Sequence, residues 1–171
     1  MKRNILNLSI ILFAAILITG CSSKQEVYEG PEAFVNEAKE NVPVMAVDEL
    51  EKKMKNNEDY LVLDVREPNE YNPGFIPGAV NIPRGTLEFM IGKEAFWDAQ
   101  GLYMPEKDAK IILYCKKGDR SILSANTLKK MGYENIHYLE GGFKNWETTY
   151  PHNYYRNEVA HDDHGGGVGG C

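Results

Sequence analysis

The run AKIILYC at residues 109–115 carries five consecutive apolar residues, Ile111 to Cys115, directly before a charged stretch. Such a run is typical of a strand that is buried on both faces of a parallel sheet. The segments DYLVLDV and NIHYL resemble it, and segments with apolar residues at helical spacing lie between them. Because strands and helices alternate, the sequence predicts an α/β fold with a mainly parallel central sheet flanked by helices.

Polar residues before two of the helical segments suggest where those helices begin. Asp48 is predicted to cap DELEKKMKNN, with Glu51 completing a capping box. Ser121 is predicted to cap ILSANTLKKM, and Gly132 suits the C-terminal end of that helix.

The loop that begins at Cys115 joins the apolar strand to the helix predicted after Ser121. Its next members are Lys116, Lys117, Gly118, Asp119 and Arg120. Groups with chemical roles gather beyond the carboxyl ends of strands in α/β sheets, and a helix N-terminus binds anions and stabilises a thiolate. The glycine permits a tight turn that aims N–H groups inward, and the three basic side chains exceed the single acid. The loop is therefore predicted to hold an anion above a reactive sulfur; the alternative is a core cysteine followed by a solvated turn.

Four segments, in order, resemble motifs of the rhodanese sulfurtransferases over residues 43–149. They are LVLDVREPNEY (61–71), GFIPGAVNIPRG (74–85), YCKKGDRS (114–121) and GYENIHYLEGGFKNW (132–146). Phe75 stands where the family more often has a histidine, a departure that we expect to affect only local packing. The resemblance implies a single-domain rhodanese-like fold with three layers.

The resemblance also implies a mechanism and a set of site residues. Cys115 would take the outer sulfur of a small anionic donor, such as thiosulfate or polysulfide, and pass it from a persulfide to a thiol or protein acceptor. The loop from Lys116 to Arg120 would bind the donor and the transferred sulfur, and no metal or organic cofactor would be needed. Asp64 and Arg66 would form a structural ion pair. For Arg84 two roles stay open, donor binding at the rim or a surface position.

Other functions are weighed against this enzyme. A sulfur-binding and delivery module for a partner enzyme would load polysulfide sulfur but turn over little alone. Phosphatases and arsenate reductases with related loops have five residues between cysteine and arginine, whereas four separate Cys115 from Arg120. An inactive scaffold is disfavoured because both of these residues are present.

The N-terminal segment indicates where the protein works. Lys2 and Arg3 precede an apolar run that is shorter than the ~20 residues of a spanning helix, and Cys21 follows the sequence ITG. We interpret residues 1–20 as a bacterial lipoprotein signal peptide and Cys21 as the lipidated residue, so the protein is expected outside the cytoplasm, on a membrane (periplasmic if the host has two membranes). An uncleaved anchor helix is the alternative.

The formal net charge of −6 argues against nucleic-acid binding.

The remaining chain is expected to divide into three parts. Residues 21–42 would form a lipidated tether and an N-terminal helix, residues 43–149 the rhodanese domain, and residues 150–171 a flexible glycine-rich tail. Within that tail the cluster HDDH (161–164) could bind a metal, although solvated side chains are the expectation, and Cys171 could accept sulfur or form a disulfide.

Overall fold

A computed structural model of the chain describes residues 27–156. The predicted signal peptide, the cluster at 161–164 and two cysteines (Cys21, which is predicted to be lipidated, and Cys171) lie outside the described residues. Within 27–156, no helix has both the length and the apolar character that crossing a bilayer requires.

Five parallel strands form the central sheet, namely β1 (Val44–Met45), β2 (Leu61–Asp64), β4 (Val80–Asn81), β5 (Lys110–Tyr114) and β6 (Asn135–Leu139). Their order across the sheet is β1-β6-β5-β2-β4. In the centre, Leu63 pairs with Leu113 and Asp64 with Tyr114, so β2 and β5 end side by side. The predicted α/β class and parallel sheet are confirmed.

Helices cover both faces of the sheet and give the predicted three layers. They are α1 (Pro31–Glu40), α2 (Val47–Lys55), α3 (Pro68–Tyr71), α4 (Leu87–Met90), α5 (Glu94–Ala99), α6 (Asp119–Lys130) and α7 (Gly142–Thr149), with a 3-10 turn at Arg84–Thr86. Alternate residues of β5 point to opposite faces: Ile111 and Leu113 join the core under α1 and α6, whereas Ile112 joins the core under α2 and α7.

Two helices begin earlier than their polar residues predicted. Helix α6 starts at Asp119 with Gly118 as its cap, and Ser121 lies inside the first turn, where its hydroxyl donates to the Gly118 carbonyl at 2.7 Å. Helix α2 starts at Val47, and Asp48 makes no side-chain cap; its carboxylate instead accepts a hydrogen bond from the Tyr150 hydroxyl at 2.7 Å. Both predicted caps are therefore wrong, because the carboxylate and the hydroxyl bind other groups.

Residues 150–156, predicted to begin the flexible tail, pack on the domain. β7 (Tyr155–Arg156) pairs in antiparallel fashion with β3 (Gly74–Phe75). The Phe75 ring stacks on Tyr71 with 4.3 Å between ring centroids and also contacts Tyr155. The phenylalanine therefore contributes to an aromatic cluster, and the folded part of the chain extends at least to Arg156.

Candidate active site

Cys115 lies immediately beyond β5, at the carboxyl edge of the sheet, and is only 2% exposed. It is a free thiol. The backbone N–H of Gly118 donates a hydrogen bond to its Sγ at 3.2 Å. An N–H donor at this distance is the kind of group that stabilises negative charge on sulfur, and the reactivity of Cys115 stays a prediction.

Gly118 sets the shape of the loop. Its φ of +123° lies in a region that residues with a side chain rarely adopt. A Cβ at this position would meet open space, so glycine is favoured here by its backbone conformation and not by crowding. With this turn, α6 begins directly after Gly118, and the Ile122 N–H donates to the Gly118 carbonyl at 2.9 Å. The loop therefore wraps the positive end of the α6 dipole.

The start of α7 holds the other side of the loop. The N–H groups of Phe143 and Lys144 donate to the carbonyls of Cys115 and Lys116 at 2.8 and 3.0 Å. Because a trans peptide directs its N–H opposite to its carbonyl, the N–H groups that follow these two carbonyls point away from α7. Only glycine fits at position 142, since a Cβ there would lie 2.3 Å from the Cys115 carbonyl oxygen.

A cavity of about 200 Å³ lies over the loop. Its lining consists of Cys115, Lys116, Lys117, Asp119 and Arg120. The two lysines are exposed, and among residues 27–156 neither forms an ion pair. Their charges are thus available to an anion that enters the cavity, and their binding of the donor stays a prediction.

Arg120 differs from the lysines because a partner already holds its charge. Its guanidinium binds the carboxylate of Glu70 with two hydrogen bonds, of 2.6 and 2.8 Å. The hydrogen bond from Arg120 lowers the pKa of Glu70. The pKa of Arg120 is raised by the same hydrogen bond and, to a smaller extent, by the nearby Cys115 sulfur. We therefore expect Arg120 to fix the loop against α3 more than to bind the donor with a free charge.

Asp64 and Arg66 form a buried ion pair beside the loop. The Nη2 of Arg66 lies 2.6 Å from the Asp64 carboxylate and also donates to the Gly74 carbonyl at 2.8 Å. Burial lowers the pKa of Arg66, but the hydrogen bond and charge of Asp64 outweigh it, so the net shift is upward. The guanidinium also lies 4.1 Å from the Phe143 ring centroid. This pair connects the end of β2 with β3 and with the helix that holds the loop.

Arg84 is half-buried and lies in the 3-10 turn after β4. Its backbone N–H donates to the Val65 carbonyl at 3.1 Å. Its side chain is not among those that line the cavity over Cys115. The geometry therefore favours the surface position over donor binding at the rim.

Among residues 27–156, no three His, Cys, Asp or Glu side chains cluster as metal ligands would.

Sequence reasoning missed two contributors to this site. Glu70 is fifty positions from Arg120 in the sequence. The residues around Glu70 indicate only the capping box that it forms with Glu67. The backbone N–H groups of Phe143 and Lys144 cannot be recognised from residue types. The pair Gly141 and Gly142 before them is the signal that the sequence offers.

Known proteins resemble this chain in both sequence and fold. The thiosulfate sulfurtransferase GlpE of Pseudoalteromonas translucida is 33% identical over 94 residues, which cover 54% of this chain and 78% of that protein. The human single-domain sulfurtransferase TSTD1 superposes with a TM-score of 0.58 at 25% identity, covering 63% of this chain and 96% of that one.

A Rhodopseudomonas palustris protein of unknown function, described as a possible tyrosine phosphatase, has a TM-score of 0.61 at 31% identity. The match covers 75% of this chain and 96% of that chain. Residues 46–149 match the family described as Rhodanese-like domain, which is more than half of the chain. The chain therefore belongs to the rhodanese-like domain family.

Proposed function

We propose that this protein is a sulfurtransferase that carries sulfane sulfur as a persulfide on Cys115. The observation that carries the proposal is the buried Sγ, which accepts the Gly118 N–H at the base of a cavity lined by two lysines without ion pairs in the described chain. Kinship with proteins named thiosulfate sulfurtransferase supports the same chemistry.

The reaction proceeds in two half-reactions. The Cys115 thiolate attacks the outer sulfur of thiosulfate, the S–S bond of the donor breaks, and sulfite leaves with the bonding electron pair. A thiophilic acceptor then attacks the outer sulfur of the persulfide, and the Cys115 thiolate leaves with the electron pair of that bond. Donor and acceptor use one site in turn, so ping-pong kinetics are expected. Polysulfide would load the same cysteine with a shorter polysulfide as the leaving group.

Loop length supports sulfur over phosphate as the transferred group. Four residues separate Cys115 from Arg120, one fewer than in the related phosphatases and arsenate reductases. The arginine that would clamp a tetrahedral phosphate is engaged by Glu70. Phosphatase activity is therefore the disfavoured reaction.

The site of action is part of the same proposal. The segment before Cys21 supports lipidation of that cysteine and an extracytoplasmic, membrane-tethered protein. The test is metabolic labelling with a radioactive fatty acid beside Cys21→Ala. Label retained in the variant would show that another residue carries the lipid, whereas an unlabelled wild type that stays in the membrane fraction would show that an uncleaved helix anchors the chain.

A sulfur-delivery module for a partner enzyme is the second candidate, favoured by the nearly complete burial of Sγ, which restricts access for acceptors. Initial rates with varied thiosulfate and cyanide separate the two. Parallel double-reciprocal lines with many turnovers indicate the enzyme. Stable loading of one sulfur followed by only slow release to cyanide indicates the delivery module.

A further inference from the structure

A second groove, of about 400 Å³, adjoins the Cys115 cavity between α1 and α6. Asp119 and Arg120 line both spaces. A molecule that lies in this groove therefore reaches the edge of the cavity from which sulfur is transferred.

The groove has the opposite charge to the cavity. Its lining includes the apolar residues Pro31, Val35 and Leu123 and the acidic residues Glu32 and Asp119. Both acidic residues are exposed. Since Glu70 already holds the charge of Arg120, the groove presents apolar surface bordered by negative charge, whereas the lysines give the cavity positive charge.

Helix α1 supplies one wall and lies outside residues 46–149, which match the family. It is fixed in place, because Ala38 is buried in the same core as Ala125 and Leu128 of α6. The Lys129 ammonium also donates to the Asn41 carbonyl at 2.7 Å, just beyond the end of α1. Helix α1 is therefore packed stably against the matched domain.

We propose that the groove between α1 and α6 binds the sulfur acceptor, and that this acceptor is a partner protein's extended segment carrying a cysteine, an apolar residue and a lysine or arginine. The proposal rests on the sulfurtransferase function. The apolar residue packs on Val35 and Leu123, and the basic residue pairs with Glu32 or Asp119. Donor and acceptor are then distinguished by charge, because the anionic donor is attracted to the lysines of the cavity.

The transfer step needs no external oxidant or reductant. The acceptor thiol loses its proton to water, and its thiolate attacks the outer sulfur of the Cys115 persulfide. That S–S bond breaks and Cys115 recovers its thiolate, while the acceptor becomes a persulfide. The chain's own segment 157–171 is a poor occupant, because it contains Glu158, Asp162 and Asp163 and no lysine or arginine.

The test measures sulfur transfer from the full chain, loaded with thiosulfate, to two synthetic peptides with blocked ends. One has the sequence Gly-Cys-Gly-Leu-Lys-Gly, and the other has glutamate in place of lysine. We expect the lysine peptide to react about tenfold faster at low salt, and the difference to shrink at high salt because exposed charges are screened. Glu32→Lys should reduce the preference to less than threefold.

Three further variants make the result specific. Asn36→Trp, at an exposed position in the groove, should slow both peptides but not loading by thiosulfate or transfer to cyanide. Glu40→Lys, exposed on the same helix but outside the groove lining, is the matched control and should keep the tenfold preference. Cys171→Ser should also keep it; loss of the preference in that variant would show that Cys171 relays the sulfur to the peptides and would overturn the proposal.

Two outcomes separate this proposal from the function on which it rests. If the chain loads sulfur and passes it to cyanide, but both peptides react equally or Glu32→Lys behaves like Glu40→Lys, the groove assignment is wrong and the sulfurtransferase function stands. If the chain never loads sulfur, both the sulfurtransferase function and the groove assignment are wrong.

Discussion

Replacing Gly142 by alanine tests how α7 holds the active loop. The new Cβ would lie 2.3 Å from the Cys115 carbonyl oxygen and 3.0 Å from the carbonyl carbon of Lys116, which are backbone atoms that cannot rotate away. The helix and the loop must therefore separate, and the hydrogen bonds from Phe143 and Lys144 to the loop carbonyls are lost or lengthened.

The expected cost follows from two contributions. A φ of +60° costs a residue with a Cβ about 1–2 kcal/mol. The two hydrogen bonds contribute about 1 kcal/mol each. Gly142→Ala should therefore lower the free energy of unfolding by about 3–4 kcal/mol, a large part of the ~5–15 kcal/mol that is typical of a domain.

Urea denaturation followed by tryptophan fluorescence measures this loss, and Gly92→Ala is the matched control. Position 92 is exposed, has no positive φ, and a Cβ there would meet open space. Sulfur loading by thiosulfate, measured under conditions in which Gly142→Ala is folded, should be slowed at least about tenfold, which corresponds to ~1.4 kcal/mol in the barrier. An unfolding midpoint and a loading rate like those of the control would refute the argument.

Three other perturbations have defined outcomes. Asp64→Ala leaves the Arg66 charge buried without its carboxylate partner, so the free energy of unfolding in urea should fall by about 3–5 kcal/mol, and a loss below 1 kcal/mol would show that the pair is dispensable. Glu70→Gln should cost about 1 kcal/mol at pH 7, since the pair with Arg120 is partly exposed. Because Arg120 lowers the pKa of Glu70 below its ordinary 4.5, the pair's stabilisation is present above pH 4.5 and lost as pH falls through the lowered value. Denaturation midpoints of wild type and Glu70→Gln should therefore converge in acid, and a constant gap would contradict the assignment. Lys117→Gln should slow thiosulfate loading severalfold at low salt and weaken its salt dependence, as stopped-assay rates at two ionic strengths would show; unchanged rates would remove the lysine from donor attraction.

The strand that precedes Cys115 and the turn at Gly118 could be predicted from the sequence because both depend on local preferences. A run of apolar residues must be buried, and a glycine before a helix permits a backbone conformation that other residues avoid. Ser121 was misassigned for a related reason: the turn at Gly118 starts the helix two residues before the serine, whose hydroxyl then bonds to the Gly118 carbonyl.

Contacts between distant segments were not predictable in the same way. The pairing of Glu70 with Arg120 spans fifty positions, and no periodicity or spacing connects them. The pairing of β7 with β3 likewise gives residues at 155–156 a place in the fold that their composition does not indicate. Such contacts depend on which elements the three-dimensional packing brings together.

The most direct test of the account is the intact mass of the full chain, purified in detergent, after incubation with thiosulfate and then with cyanide. Cys115→Ser and Cys171→Ser are measured in parallel. A persulfide on Cys115 should give a gain of one sulfur mass that cyanide removes, present in Cys171→Ser and absent in Cys115→Ser. A chain that gains no sulfur on Cys115 from thiosulfate or polysulfide would contradict the persulfide mechanism.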